Sequence, residues 1–191
     1  MNEVEREGAA AAAAKPPAPA PRGRLLPAMA SGWRWLPLSV AVVLLDRVVK
    51  LWIGHHFAPL ERLHVSPVLD IILTYNTGAA FSFLADASGW QRWVFIVLAL
   101  AVSAALLVWM RRLDARIHGL LACGLALIVG GALGNMIDRL ATGRVVDFIH
   151  VHWGTHYFPA FNVADSAITV GAALLLLDAW QEGRRARAPS R

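Results

Sequence analysis

Four apolar stretches dominate this sequence: residues 35–53, 92–110, 118–137 and 161–180. Each comes close to the roughly 20 residues that a helix needs to cross a bilayer. A soluble domain of this length could not cover so much apolar surface. Hydrophobic residues make up 57% of the chain and its mean hydropathy is +0.51, above the roughly half-apolar usage of soluble domains. The expected fold is therefore a mostly α membrane protein with four transmembrane helices.

The net charge of +5 invites a nucleic-acid reading, but the basic residues form no single stripe. They gather outside the apolar stretches, where Lys and Arg set membrane topology. Arg6, Lys15, Arg22, Arg24 and Arg34 precede the first stretch, Arg111, Arg112 and Arg116 follow the second, and Arg184, Arg185, Arg187 and Arg191 follow the fourth. Together these are 12 of the 18 basic residues. The positive-inside rule then predicts cytoplasmic termini and places residues 54–91 and 138–159 on the opposite face. No nucleic-acid partner is expected; membrane lipids are.

Three regions follow. Residues 1–34 are rich in Ala, Pro and Arg, cannot bury a core and are expected to form a disordered tail. Small residues at 28–31 precede the apolar run, the wrong order for a signal peptide, and the sequence leaves both Met1 and Met29 open as the start of translation. Residues 35–181 form the membrane domain, and 182–191 a basic cytoplasmic tail. Within the domain, residues 54–91 hold no run long enough to span. Their β-branched and aromatic content, broken at Pro67 and at residues 76–78, predicts short strands in a small extracytoplasmic β-rich region on the membrane surface. The AAFSF segment, residues 79–83, could offer its backbone to an extended peptide.

The costly residues sit between the third and fourth stretches. Residues 130–167 contain Asp138, Asp147 and Asp165 with Asn135 and Asn162, and ionisable groups beside hydrocarbon are usually kept for function. Asn135 and Asp138 share a helix face, Asn162 and Asp165 repeat that spacing, and Asn162 suits the N-cap of the fourth helix. Two carboxylates in a low-dielectric site share a proton, giving one base to activate water and one acid to protonate a carbonyl or leaving amine. Asp138 adjoins Arg139 and is expected in a charge-balancing pair. Asp147 and Asp165 have apolar or small neighbours and are the favoured pair, although the residues alone do not close that choice. In the first stretch, Asp46 and Lys50 have the i,i+4 spacing of an ion pair; Asp46 either balances charge there or faces the interior and supports the site.

Other chemistries fit less well. His150, His152 and His156 lack an HExxH helix and an adjacent carboxylate ligand, so no metal is expected. Cys123, the single cysteine, lies in an apolar run and packs as a small hydrophobe. Ser166 has no evident base. Tyr75, Trp90, Trp93, Trp153 and Tyr157 suit an interfacial aromatic belt. A small proton-coupled transporter or channel is the alternative, since membrane carboxylates also relay protons. The acids are nevertheless gathered on one side, and no inverted repeat is visible.

Four blocks carry a resemblance: LDRVVK at 45–50, YNTGAAFSFL at 75–84, GGALGNMIDRL with GRVVDF within 130–148, and FPAFNVADSAITVG at 158–171. Taken together, they resemble lipoprotein signal peptidase (signal peptidase II), an aspartic peptidase family of bacterial inner membranes. The resemblance covers all but the tails. It implies Asp147 and Asp165 as the catalytic dyad, with Asp46, Asn76, Asn135, Arg139 and Asn162 around it. It implies no cofactor. The implied substrates are diacylglyceryl-modified prolipoproteins, cut before the lipidated cysteine near the periplasmic face.

Overall fold

The computed structural model describes residues 27–78 and 89–187. Four helices carry the structure: α1 (Leu36–His56), α2 (Gln91–Arg112), α3 (Gly119–Thr142) and α4 (Val163–Arg187). Between them lie β1 (Arg62–Ser66), β2 (Leu69–Asn76), β3 (Val145–Trp153) and β4 (His156–Tyr157). Helices α2, α3 and α4 are long and apolar enough to cross a membrane. Helix α1 is 21 residues long but carries Asp46, Arg47 and Lys50.

Helix α3 is the hub. Against α1 it presents Gly130, where an added Cβ would lie 2.8 Å from the Ser39 carbonyl oxygen. Against α4 it presents Gly131, where a Cβ would meet the Ala164 carbonyl oxygen at 2.3 Å. Gly124 and Gly171 face one another across the same contact. In lipid no hydrophobic force draws helices together, so close backbone approach over small residues supplies the dispersion contacts. Met110, Leu125, Ala126 and Val129 form the buried centre of the bundle. The opposite surfaces are apolar and bare: Val48, Val97 and Leu176 are exposed, which suits contact with lipid chains and not with water.

The β-rich region is one four-stranded antiparallel sheet in the order β1-β2-β3-β4. The hairpin turning at Pro67 was expected; its pairing with β3 was not. Ile53, Leu73 and Phe148 pack together and fix the sheet to the end of α1. An isolated bridge between Ile149 and Phe161 then ties β3 to the chain entering α4.

Some expected boundaries shift. Residues 27–34, assigned to the tail, include a 3-10 helix, Gly32–Trp35, and a buried Ser31 bridged to Asp114. Residues 182–187 continue α4. The rest of the N-terminal tail and the 79–83 segment lie outside the described residues.

Candidate active site

The Ile149–Phe161 bridge decides which acids meet. Phe148 and Ile149 donate their N–H groups to the Phe161 carbonyl, and Phe161 donates back to Ile149. Asp147 on β3 is thereby brought beside the first turn of α4, which carries Asp165 in a chain segment 18 positions later. Asn162 is the N-cap: its side-chain oxygen accepts from Asp165 N at 2.9 Å, and its own N–H donates to Asp165 Oδ2 at 3.3 Å. This is a capping box with Asp in the third position, and it satisfies two orphan N–H groups while fixing the Asp165 side chain.

The amide of Asn162 serves the second acid too. Its Nδ2 donates to Asp147 Oδ1 at 2.6 Å and lies 3.2 Å from both Asn135 Oδ1 and the Val146 carbonyl oxygen. Asn135 on α3 donates to Asp165 Oδ1 at 2.7 Å. The Asn76 side chain also hydrogen-bonds Asp147, and Asn76 Oδ1 accepts from Gly78 N in a tight turn. Each carboxylate is therefore held by an asparagine from a different element, a rigid arrangement for groups that must keep their positions.

Asp147 is 3% exposed. Burial pushes its carboxyl up first, and the negative charge of Asp165 pushes it further, against the Asn162 and Asn76 hydrogen bonds and the positive charge of Lys50; the result is about 7. Two nearby carboxylates in a poorly solvated site titrate as a pair. Both line a cavity of about 810 Å³, together with Tyr75, Asn76, Asn135, Arg139 and Phe158. That volume is within the range of small-molecule and peptide pockets.

The remaining expected residues sit around this centre. Arg139 lines the cavity, donates to the Gly78 carbonyl oxygen at 2.8 Å and lies over the Phe95 ring. Asp46 is fully buried, so it faces the interior; it pairs with Lys50 at 2.8 Å and accepts from Ala164 N at 3.0 Å. The Asp46–Lys50 pair expected from the i,i+4 spacing is present, and it lies in the interior.

Asp138 sits in a charge-balancing pair, as expected, but its partners are Arg47 and, at 2.8 Å, Lys50, not its neighbour Arg139. Adjacent residues on a helix point about 100° apart and do not face one another. Lys50 was the under-read residue. It reaches Asp46, Asp138 and, at 2.9 Å, Asn135 Oδ1. Its only sequence signal was the spacing from Asp46.

Residues 38–181 match the family described as Signal peptidase (SPase) II. The chain belongs to the signal peptidase II family. The lipoprotein signal peptidase of Pseudomonas fluorescens Pf-5 is 54% identical over 159 residues, 82% of this chain and 92% of that one. The lipoprotein signal peptidase of Pseudomonas aeruginosa PAO1 is 52% identical over 156 residues, 81% and 92% of the two chains. A bacterial membrane enzyme solved by the in meso method at 2.3 Å superposes with a TM-score of 0.72 at 30% identity, covering 83% of this chain and 94% of that one. Membership favours a membrane hydrolase over the transporter alternative.

Proposed function

We propose that this signal peptidase II family member removes signal peptides from lipoprotein precursors with Asp147 and Asp165 as its catalytic pair. The observation that carries the reading is the shared asparagine clamp: Asn162 holds Asp147 while capping the helix turn that bears Asp165. With its carboxyl pushed to about 7, Asp147 holds the pair's proton near neutral pH. Asp165, facing the same cavity with two hydrogen-bond donors on its oxygens, acts as the base that takes a proton from water. Attack of that water on the scissile carbonyl builds negative charge on its oxygen, which Asp147 neutralises by protonation. As the intermediate collapses and the C–N bond breaks, the proton acquired by Asp165 passes to the leaving amine and Asp147 takes a proton back from the gem-diol hydroxyl, so one turnover restores both acids.

The substrate in this reading is a diacylglyceryl-modified prolipoprotein, cut before the lipidated cysteine. Helix α1 joins α2–α4 as a fourth span, because its three charged residues sit in its second half and two of them, Asp46 and Lys50, are buried against α3 and α4. Both termini are then cytoplasmic in the bacterial inner membrane, and the cavity opens near the periplasmic face. The apolar flank of the cavity, including Ile168 and Val170, would receive the acyl chains.

The test is cleavage of a lipidated precursor by purified protein in micelles. Asp147→Asn and Asp165→Asn are each expected to reduce the rate by about 10²–10⁴-fold while the protein stays folded. Full activity in either variant excludes that residue from the pair.

A further inference from the structure

The sequence offered histidines without a carboxylate, and the sheet supplies one. Asp70 on β2 stands opposite His64 on β1 and opposite His150 on β3. Residues paired in this way, and residue i+2 on the same strand, lie on one face, so His152 joins them. Asp70 is 1% exposed, yet three cationic or protonatable groups converge on it. His64 Nδ1 lies 2.5 Å from Oδ1, His152 Nε2 lies 3.5 Å from the same oxygen, and Arg62 Nη1 takes Oδ2 at 3.1 Å. The His152 side chain is 9% exposed, and neither of its ring nitrogens has a hydrogen-bond partner. A buried imidazole without partners is costly unless something else meets it.

We propose that His64, Asp70 and His152 form a binding site for a divalent transition cation, best fitted by Zn²⁺, on the β1–β2–β3 face of the sheet. The three ligand atoms already lie within 4.8 Å of one another. Zn–N and Zn–O bonds of about 2.0–2.1 Å in a tetrahedron separate neighbouring ligand atoms by about 3.3 Å. The His152–Asp70 spacing of 3.5 Å meets that requirement without rearrangement. The His64–Asp70 spacing must open by under about 1 Å, and His64 can do this because its side chain is 64% exposed. Two imidazoles and one carboxylate suit Zn²⁺ over Mg²⁺ or Ca²⁺, which favour all-oxygen shells. Arg62 on Oδ2 orients the carboxylate from behind, as outer partners of metal ligands do.

The cation would clamp β1, an edge strand, onto β2 and β3. Those strands carry Asn76 and Asp147 at their other ends, so the clamp braces the sheet that holds the cavity without entering it.

The experiment uses the full chain, purified through a histidine-free tag, stripped with EDTA and titrated with ZnSO₄ alone. One ion per chain should bind at micromolar concentration or tighter and raise the Tm, and Co²⁺ in its place should give a visible absorption band of a low-symmetry nitrogen–oxygen site. His64→Gln and His152→Gln should each weaken binding by about 10-fold or more. The exposed His64 can be changed without disturbing the fold, so a His152→Gln variant that fails to fold leaves the test intact. His118→Gln, in the separate His118–Asp178–Glu182 cluster, should leave binding unchanged. Absence of saturable Zn²⁺ binding, equal affinity in His64→Gln, or loss only in His118→Gln overturns the site. Precursor cleavage is read in parallel and should survive EDTA, because neither Asp147 nor Asp165 touches the cluster.

Discussion

Asn162 donates a 2.6 Å hydrogen bond to Asp147 from the same side chain that accepts the Asp165 amide at 2.9 Å. One residue thus sets the position of both acids. Asn162→Ala removes the hydrogen bond to Asp147 and the helix cap together. The cap alone is worth about 1 kcal/mol, so the protein should still fold. Precursor cleavage should fall by about 10²-fold, as expected when a catalytic geometry is displaced by about 1 Å. Parallel unfolding and rate measurements check this; a variant with normal turnover would mean that the two acids are positioned by Asn135 and Asn76 alone.

The raised carboxyl of Asp147 gives two pH dependences. In the proposed mechanism Asp147 acts as an acid and must be protonated, so cleavage should fall as pH climbs through about 7. For stability the sign is the same. The folded state binds this proton up to about 7 while the unfolded chain releases it near 3.8, so the folded state takes up more protons between those values and stability declines as pH rises through them. Asp147→Asn should flatten that decline in thermal unfolding scans from pH 4.5 to 8. An unchanged slope in the variant would assign the decline to other groups.

The apolar stretches, the capping role of Asn162 and the Asp46–Lys50 ion pair could be read in the chain because each depends on local spacing. The short strands of the 54–91 region could be read as well, since Pro67 separates them and the turn after Asn76 ends the second. What spacing could not reveal was the pairing of β2 with β3, whose partners run from Asn76 with Val145 to Leu69 with Val151. The β2–β3 ladder puts Asp70 among histidines and Asn76 near Asp147, and no short motif announces it. The charge-balancing role of Asp138 was legible, but its partners were not: Arg47 and Lys50 come from α1, about 90 positions away in the chain. Nor does spacing show where α3 and α4 come closest, which is at Gly124 and Gly131 of α3 and Gly171 of α4.

That approach is testable. A Cβ on Gly131 would sit 2.3 Å from the carbonyl oxygen of Ala164, one residue before Asp165, so α4 must move at the end that carries Asp165. Gly131→Ala should cost about 1–3 kcal/mol, the usual range for overpacking, and should lower cleavage more than it lowers the amount of folded protein. Gly54→Ala on exposed α1 surface meets nothing within 4 Å and is the control, expected to be neutral or stabilising by up to about 1 kcal/mol. Equal behaviour of the two variants would contradict the close helix contact.

Lys50 joins two buried acids to the asparagine network. Its ammonium is 2.8 Å from Asp46 and from Asp138, and all three side chains are at most 2% exposed. Removing one partner from such a group leaves uncompensated charge, at a cost of about 3–5 kcal/mol. Lys50→Met should therefore lower stability by that amount in micelle unfolding experiments. Arg47 still neutralises Asp138 in the variant, so the stranded charge is mainly that of Asp46. Adding Asp46→Asn to Lys50→Met should then recover part of the loss, because the amide keeps an oxygen for Ala164 N without the charge. If Lys50→Met unfolds like the unmodified protein, the ion pairs contribute nothing measurable. If the double variant is weaker than the single one, Asp46 stabilises through its hydrogen bond to α4 more than it costs as an unpaired charge.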